Sequence, residues 1–183
     1  GDADEQRAFA SDIQQKIAEQ DKEGLTGWIV DLRYNSGGNM WPMLAGLGPI
    51  LGDGIHGYFI DPNENSTSWG YEAGAALNDY NPIVELNEPY VLVDPEPKVA
   101  VLSSIRVASS GEATLIAFKK KANVQIFGEA SCGLSTANRR YPLFDGSTLL
   151  LTVSTMADSE QQEYGNRVDV DQQVDPSEAV AAA

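Results

Sequence analysis

The stretch VASSGEA, residues 107–113, places two serines and a glycine in front of an apolar segment with a helical pattern. A chain that leaves a strand must turn sharply here, and a hydroxyl on such a corner points outward. One interpretation is that Ser109 or Ser110 caps the helix, because serine is a favoured N-cap residue. The other is chemical: a serine followed by a free backbone N–H supplies a nucleophile and one oxyanion donor together.

Two further loops rich in glycine or hydroxyl groups also follow predicted strands. RYNSGG comes after the apolar run WIVDL, and EASCGLSTAN comes after VQIF. Ligand sites in α/β proteins gather at such strand ends. Gly37 and Gly38 lack a Cβ, so their backbone N–H groups can turn toward a ligand. We therefore expect these loops and the serine corner to form one site.

The elements that position these loops follow from the hydrophobic pattern. Phe9, Ile13 and Ile17 recur every four residues and predict one apolar stripe on an N-terminal helix. Pro42 restricts the next helix to part of its segment. The predicted elements are helices at 4–23, 40–51 and 111–121, strands at 28–32, 55–60, 98–104 and 123–129, and a hairpin at 139–156 turning at Asp145-Gly146.

The alternation of strands and helices predicts an α/β fold. We expect one domain over residues 1–183, with an N-terminal helix in 1–24, a core in 27–175 and a frayed tail in 176–183. The pattern loosens over 61–98, where we expect a hairpin arm and proline-bearing edge segments.

Composition excludes several classes of function. The chain carries 27 acidic and 12 basic residues, a net charge of −15, which argues against nucleic acid or an anionic membrane as a partner. No stretch has the roughly 20 apolar residues that cross a membrane. Cys132 is the only cysteine, so no internal disulfide and no zinc cluster can form, and we expect a packed thiol there. No metal or cofactor is expected.

Four motifs, in order, resemble the C-terminal processing (tail-specific) proteases and their tricorn-type relatives. They are DLRYNSGGN (31–39), VAVLSSIRVASSGEATLIAF (99–118), FGEASCGLSTAN (127–138) and the degenerate GNRVDVD (165–171). The resemblance implies a crotonase- or Clp-protease-like β/α spiral, with a mixed, mostly parallel sheet, flanking helices and a C-terminal hairpin.

The resemblance also implies roles for individual residues. Ser109 matches the family nucleophile, because it precedes Glu112 by three residues. The N–H of Ser110, and that of Gly37 or Gly38, match the oxyanion-hole donors.

The pattern departs from the family at the general base. The processing proteases use a Ser–Lys dyad, but Leu134 stands at the lysine position and Asn138 at the supporting glutamine. Leucine cannot accept a proton. The lysines at 119–121 lie about 15 Å along the helix from Ser109, too far to substitute.

The tricorn-type branch resembles this chain more closely, since it uses a histidine upstream of the core and a glutamate near the C-terminus. Glu163 lies near the position of that glutamate. His56, the only histidine, does not match the catalytic one, and we expect it at a strand edge or on the surface. The chain is therefore expected to be the C-terminal part of a longer hydrolase, inactive alone, with its histidine in an N-terminal region.

Three functions stay open on the sequence alone. The first is a serine peptidase that forms an acyl-enzyme on Ser109 and takes a peptide or unfolded protein along a sheet edge. The second is an inactive relative that binds peptides or other ligands in the same cleft, which the leucine at 134 favours. The third is a crotonase-type acyl-CoA enzyme, which the acidic composition disfavours. The resemblance implies an extracytoplasmic location; the oligomeric state is not predicted.

Overall fold

A computed structural model describes all 183 residues and divides them into four helices and ten strands. The helices are α1 (Ala3–Gln20), α2 (Met40–Leu51), α3 (Ser110–Ala117) and α4 (Ala179–Ala182). The strands are β1 (Trp28–Asp31), β2 (Gly54–Ile60), β3 (Ser66–Glu72), β4 (Ala75–Asn78), β5 (Asn81–Glu85), β6 (Val99–Ser103), β7 (Val124–Gly128), β8 (Thr136–Pro142), β9 (Thr148–Asp158) and β10 (Gln172–Gln173). The predicted α/β class is confirmed.

The strands form two sheets rather than one mostly parallel sheet. One is parallel, in the order β1-β6-β7-β10, and the other is antiparallel, in the order β5-β4-β3-β2-β9-β8. The antiparallel sheet is the larger because residues 66–85, where the sequence pattern was loose, add three strands to it. Ala73 and Gly74 both have positive φ, which lets a two-residue turn join β3 to β4.

Helix α1 packs on α2 through a stripe that contains Ile13 and Ile17, as predicted, but not Phe9. The buried residues are Ala10, Gln14 and Ile17, whereas Phe9 is 49% exposed. Gln14 is tolerated there because both ends of its amide are satisfied: it donates to the Ala45 carbonyl and accepts from the Tyr90 N–H, each at 2.7 Å.

Helices α2 and α3 lie against the main hydrophobic core. Helix α2 runs over its whole predicted segment rather than part of it, since Pro42 falls in its first turn, where proline is tolerated. Every residue of α3 is buried, including polar Glu112 and Thr114. A helix this enclosed is held in a fixed position relative to the carboxyl end of β6, which precedes it.

The C-terminal part of the chain contains the predicted hairpin and a packed tail. Strands β8 and β9 are joined by a turn at Asp145-Gly146, as predicted, closed by the Leu143 N–H to the Ser147 carbonyl at 2.8 Å. The tail does not simply fray, because Ala179 is fully buried against Leu102 and Phe127. None of the helices is long and apolar enough to cross a membrane.

Candidate active site

The corner between β6 and α3 holds Ser109 in a conformation that side-chain-bearing residues rarely adopt. Ser109 is the N-cap of α3 and has φ 52° and ψ −118°. Such a backbone costs about 1–3 kcal/mol and persists only where the surroundings enforce it. The residue is half-buried. The N–H of Glu112, the third residue of the helix, donates to the Ser109 carbonyl at 2.8 Å, and the Ser109 hydroxyl forms no hydrogen bond of normal geometry. The hydroxyl is therefore not used to stabilise the helix.

Ser110 has a different environment, although it is the next residue. It is 9% exposed, and its hydroxyl donates to the Gly38 carbonyl at 2.8 Å. This bond ties the start of α3 to the glycine loop. Of the two serines, Ser110 has an engaged hydroxyl and Ser109 a free one.

The glycine loop packs directly on the serine corner. A Cβ at Gly37 would lie 2.8 Å from the Ala108 carbonyl oxygen and 3.1 Å from the Ser109 Cβ, so only glycine allows this approach. Asn35 holds the loop in place: its side-chain oxygen accepts the Gly37 N–H, and its carbonyl accepts the Ala108 N–H, both at 3.1 Å.

Two backbone N–H groups beside Ser109 have no acceptor within the protein. They belong to Gly38, in the loop, and to Ser110, in the first turn of α3, where helical N–H groups lack internal partners. The Gly37 N–H, in contrast, is occupied by Asn35. Of the two glycines matched to the oxyanion hole, Gly38 is the one with a free donor.

The buried carboxylate of Glu112 joins the serine corner to the loop that follows β7. Glu112 is 0% exposed. One of its oxygens, Oε2, accepts the N–H groups of Ser109 and Leu134, both at 2.8 Å. The other, Oε1, accepts the Ser131 hydroxyl at 2.5 Å and the Gly133 N–H at 2.8 Å. Four donors on one buried carboxylate hold both segments in a fixed relation.

Ser109 opens onto a cleft of about 400 Å³ between the glycine loop, the antiparallel sheet and the β8–β9 hairpin. The lining includes no lysine, histidine, aspartate or glutamate, so it contains no side chain that could take a proton near neutral pH. The lining residues are Gly38, Asn39, Met40, Trp41, Phe59, Ser109, Ser110, Thr136, Ala137, Asn138, Arg140, Leu150 and Met156.

Neither Leu134 nor any of the lysines at 119–121 lines the cleft. The Leu134 side chain is 55% exposed, and only its backbone is tied to the site, through Glu112. Lys119 pairs with Asp171 at 3.3 Å and Lys120 with Glu160 at 3.1 Å. Burial lowers the pKa of the Lys121 ammonium.

His56 is neither on the surface nor at a sheet edge, so that expectation was wrong. It lies in β2, between β3 and β9, and is 2% exposed, with Nε2 3.0 Å from the Gly52 carbonyl. Burial, and secondarily the charge of Lys121, lower the His56 pKa to about 3. The ring is neutral and lies outside the cleft.

Two other residues singled out from the sequence do not line the cleft either. Glu163 is exposed, forms an isolated backbone bridge with Ala157 and does not line the cleft. Cys132 is exposed rather than packed, because the buried position of this loop is taken by the preceding Ser131, whose hydroxyl donates to Glu112. The Cys132 backbone N–H donates to the Val107 carbonyl at 2.8 Å.

Sequence reasoning missed the roles of Asn35 and Glu112 in building the site. A signal existed for Glu112, since serine followed three residues later by glutamate is a capping-box pattern. That pattern predicts the bond from the Ser109 N–H but not the three donors from residues 131–134, which are close only in the folded chain.

Comparison with known protein sequences relates this chain to peptidases and to a nisin-resistance protein. The family model of peptidase family S41 matches residues 4–175. The nisin-resistance protein of Lactococcus lactis is 33% identical over 145 residues, which are 79% of this chain and 45% of that protein. The carboxy-terminal processing protease CtpA of Bacillus subtilis is 27% identical over 79% of this chain and 28% of that protein.

Solved structures show the same fold. A lipoprotein from Streptococcus agalactiae superposes with a TM-score of 0.76 and 26% identity over 100% of this chain and 60% of its own. A photosystem II D1 C-terminal processing protease gives a TM-score of 0.69 at 22% identity, over 92% of this chain and 40% of its own. The chain thus spans less than two thirds of each of these relatives. With the match covering nearly all of its sequence, the chain belongs to peptidase family S41.

Proposed function

We propose that this chain is the nucleophile-bearing core of a serine peptidase that hydrolyses peptide bonds through an acyl-enzyme on Ser109. The observation that carries the proposal is a free hydroxyl on a strained corner, beside two unoccupied backbone N–H groups, at the wall of a cleft. Membership of a peptidase family supports this reaction over the acyl-CoA chemistry considered from the sequence.

In this mechanism Ser109 Oγ attacks the scissile carbonyl carbon while its proton passes to a general base. The carbonyl oxygen becomes negative and is held by the N–H groups of Gly38 and Ser110. As the C–N bond breaks, the base returns the proton to the leaving amine. Water then attacks the ester on Ser109, gives one proton to the base, and the restored serine hydroxyl takes that proton back.

The general base in this proposal is a histidine outside the chain. The cleft supports an external base, because none of its lining side chains accepts a proton near neutral pH. His56 is enclosed in β2 and has a pKa of about 3, and the lysines lie elsewhere. The relatives extend well beyond the matched region, which leaves room for such a residue.

The substrate in this proposal is an extended peptide that lies along β8, an edge strand of the antiparallel sheet whose residues line the cleft. Because one relative is named a nisin-resistance protein and another is a lipoprotein, nisin is the first peptide to assay and an extracytoplasmic location is the one to test.

A fluorophosphonate probe on the full-length protein, followed by peptide mapping, tests the proposal. We expect the adduct on Ser109, its loss in Ser109→Ala and its retention in Ser110→Ala. Residues 1–183 alone should react far more slowly than the full-length protein. An unlabelled Ser109 in full-length protein that is folded would contradict peptidase chemistry and favour a binding role. Rapid labelling of the isolated chain would contradict the external base.

A further inference from the structure

The charge of the cleft is opposite to that of the chain around it. Acids make up 27 of the 183 residues and give a net charge of −15. None of the thirteen residues that line the cleft is acidic, and its only charged side chain is Arg140. The buried Glu112 carboxylate lies behind Ser109, but the only charge on the wall of the cleft itself is positive.

The position of Arg140 follows from the register of the hairpin. Arg140 on β8 pairs with Leu150 on β9, and directly opposed residues share one face of an antiparallel pair. Both line the cleft. Arg139, the preceding residue, is on the other face because side chains alternate along a strand, and it does not line the cleft.

Arg140 has no partner within the chain, as is also true of Arg139, whereas several basic residues elsewhere are paired. Arg33 pairs with Asp31 at 2.6 Å, and Lys119 and Lys120 pair with acidic residues. Arg140 is exposed and forms neither an ion pair nor a hydrogen bond. A guanidinium with five N–H donors is thus available to whatever occupies the cleft, and its planar geometry suits a carboxylate.

From this arrangement we infer that Arg140 is a specificity-determining residue, which binds a carboxylate of the peptide that occupies the cleft. The inference rests on the proposed peptidase function and names its substrate class: peptides with an acidic side chain or a free C-terminal carboxylate near the scissile bond. The apolar neighbours Phe59, Leu150 and Met156 would accommodate the adjoining apolar side chains.

Peptide affinity of the full-length protein carrying Ser109→Ala tests the inference without requiring hydrolysis. The probes are fluorescent peptides of one apolar sequence in four forms: with Glu or Gln at a central position, and with a free or an amidated C-terminus. Arg140→Gln is placed on this background. The matched control is Arg139→Gln, which removes the same charge from the opposite face of the hairpin.

We expect Arg140→Gln to weaken binding of the preferred carboxylate peptide by roughly five- to tenfold at low salt and not to change binding of its neutral counterpart. Preference for Glu over Gln identifies a side-chain carboxylate; preference for the free terminus identifies a main-chain one. Equal losses in Arg139→Gln and Arg140→Gln, or no loss in either, would overturn the inference. Because nucleophilicity is read separately by the probe on Ser109, this failure would leave the peptidase proposal intact.

Discussion

The Glu112→Gln substitution replaces one oxygen of a buried carboxylate, which accepts four hydrogen bonds, with an NH2 group of nearly the same shape. That group donates hydrogen bonds and cannot accept them. Two orientations of the new amide are available. With the NH2 group at the Oε2 position, the N–H groups of Ser109 and Leu134 both lose their acceptor.

The other orientation is less costly and should be adopted. With the NH2 group at the Oε1 position, the Ser131 oxygen, which already accepts the Val168 N–H, can accept a second hydrogen bond from the new amide. The Gly133 N–H and the Ser131 O–H then lose their acceptor, but one of the lost hydrogen bonds is replaced. Each buried donor without a partner costs about 1–3 kcal/mol, so we expect a loss of at least this size. For a chain of this size, that free energy lowers the melting temperature by roughly 2–12 °C.

Thermal and urea unfolding measure this loss, with Glu129→Gln as a control. The Glu129 substitution removes the same charge from a side chain that is half-buried, whereas Glu112 is fully buried, and that makes no hydrogen bond in the structure. Amide hydrogen exchange locates the effect: the Gly133 amide should exchange faster in Glu112→Gln, while the Ser109 amide stays protected. Equal stability of the Glu112 and Glu129 variants would refute the view that this carboxylate holds the two segments together.

Three further predictions concern the backbone of the site and the buried imidazole. Gly37→Ala should lower the free energy of unfolding by about 2 kcal/mol or more, because the new Cβ meets the Ala108 carbonyl. Gly38→Ala is the control, since it adds backbone strain but no contact closer than 3.8 Å. Equal losses of stability for the two variants on urea unfolding would count against the packing described. Ser109→Gly should be about 1 kcal/mol more stable than Ser109→Ala, because glycine adopts the positive φ of this position without steric strain. The reverse order of stability on calorimetry would argue against strain at this corner. Burial lowers the pKa of His56 to about 3, so the unfolded chain binds a proton below about pH 6.5 that the native state does not. The free energy of unfolding should therefore fall as the pH decreases from 6.5 to 3, by up to about 1.4 kcal/mol per pH unit from this residue. His56→Gln should flatten the dependence of stability on pH between pH 6.5 and 4. Identical slopes in the wild-type and variant proteins would rule His56 out as the cause.

The sequence predicted best those elements whose local pattern and tertiary role agree. The apolar run at 28–32 does form a strand of a parallel sheet, and the Asp145-Gly146 dipeptide turns the hairpin. The strand is not buried on both faces, as its apolar run would predict: it lies at the edge of the sheet, and Ile29 is 50% exposed. Residues 66–85 give only a loose pattern, because β3, β4 and β5 gain their order from pairing with one another rather than from an alternating sequence. Spacing alone also predicts that Phe9 belongs to the apolar stripe of α1. Ile13 and Ile17 do pack inward, but Phe9 is 49% exposed and Ala10 is buried in its place.

The site was predictable in its residue types but not in its hydrogen bonds. Motif order brought Ser109, Ser110 and the two glycines together. Which glycine has a free N–H depends on the position of the Asn35 amide, and which serine has a free hydroxyl depends on the Gly38 carbonyl. Both are contacts between distant segments, and no local pattern records them. The same holds for Arg140, whose place in the cleft is set by the register of β8 and β9.

A structure of the full-length protein with a peptide aldehyde tests the central claim most directly. We expect a covalent bond from Ser109 Oγ to the aldehyde carbon, with the resulting oxygen about 2.7–3.1 Å from the backbone nitrogens of both Gly38 and Ser110. A bond to Ser110 or to another side chain, or an oxygen directed away from these two N–H groups, would contradict it.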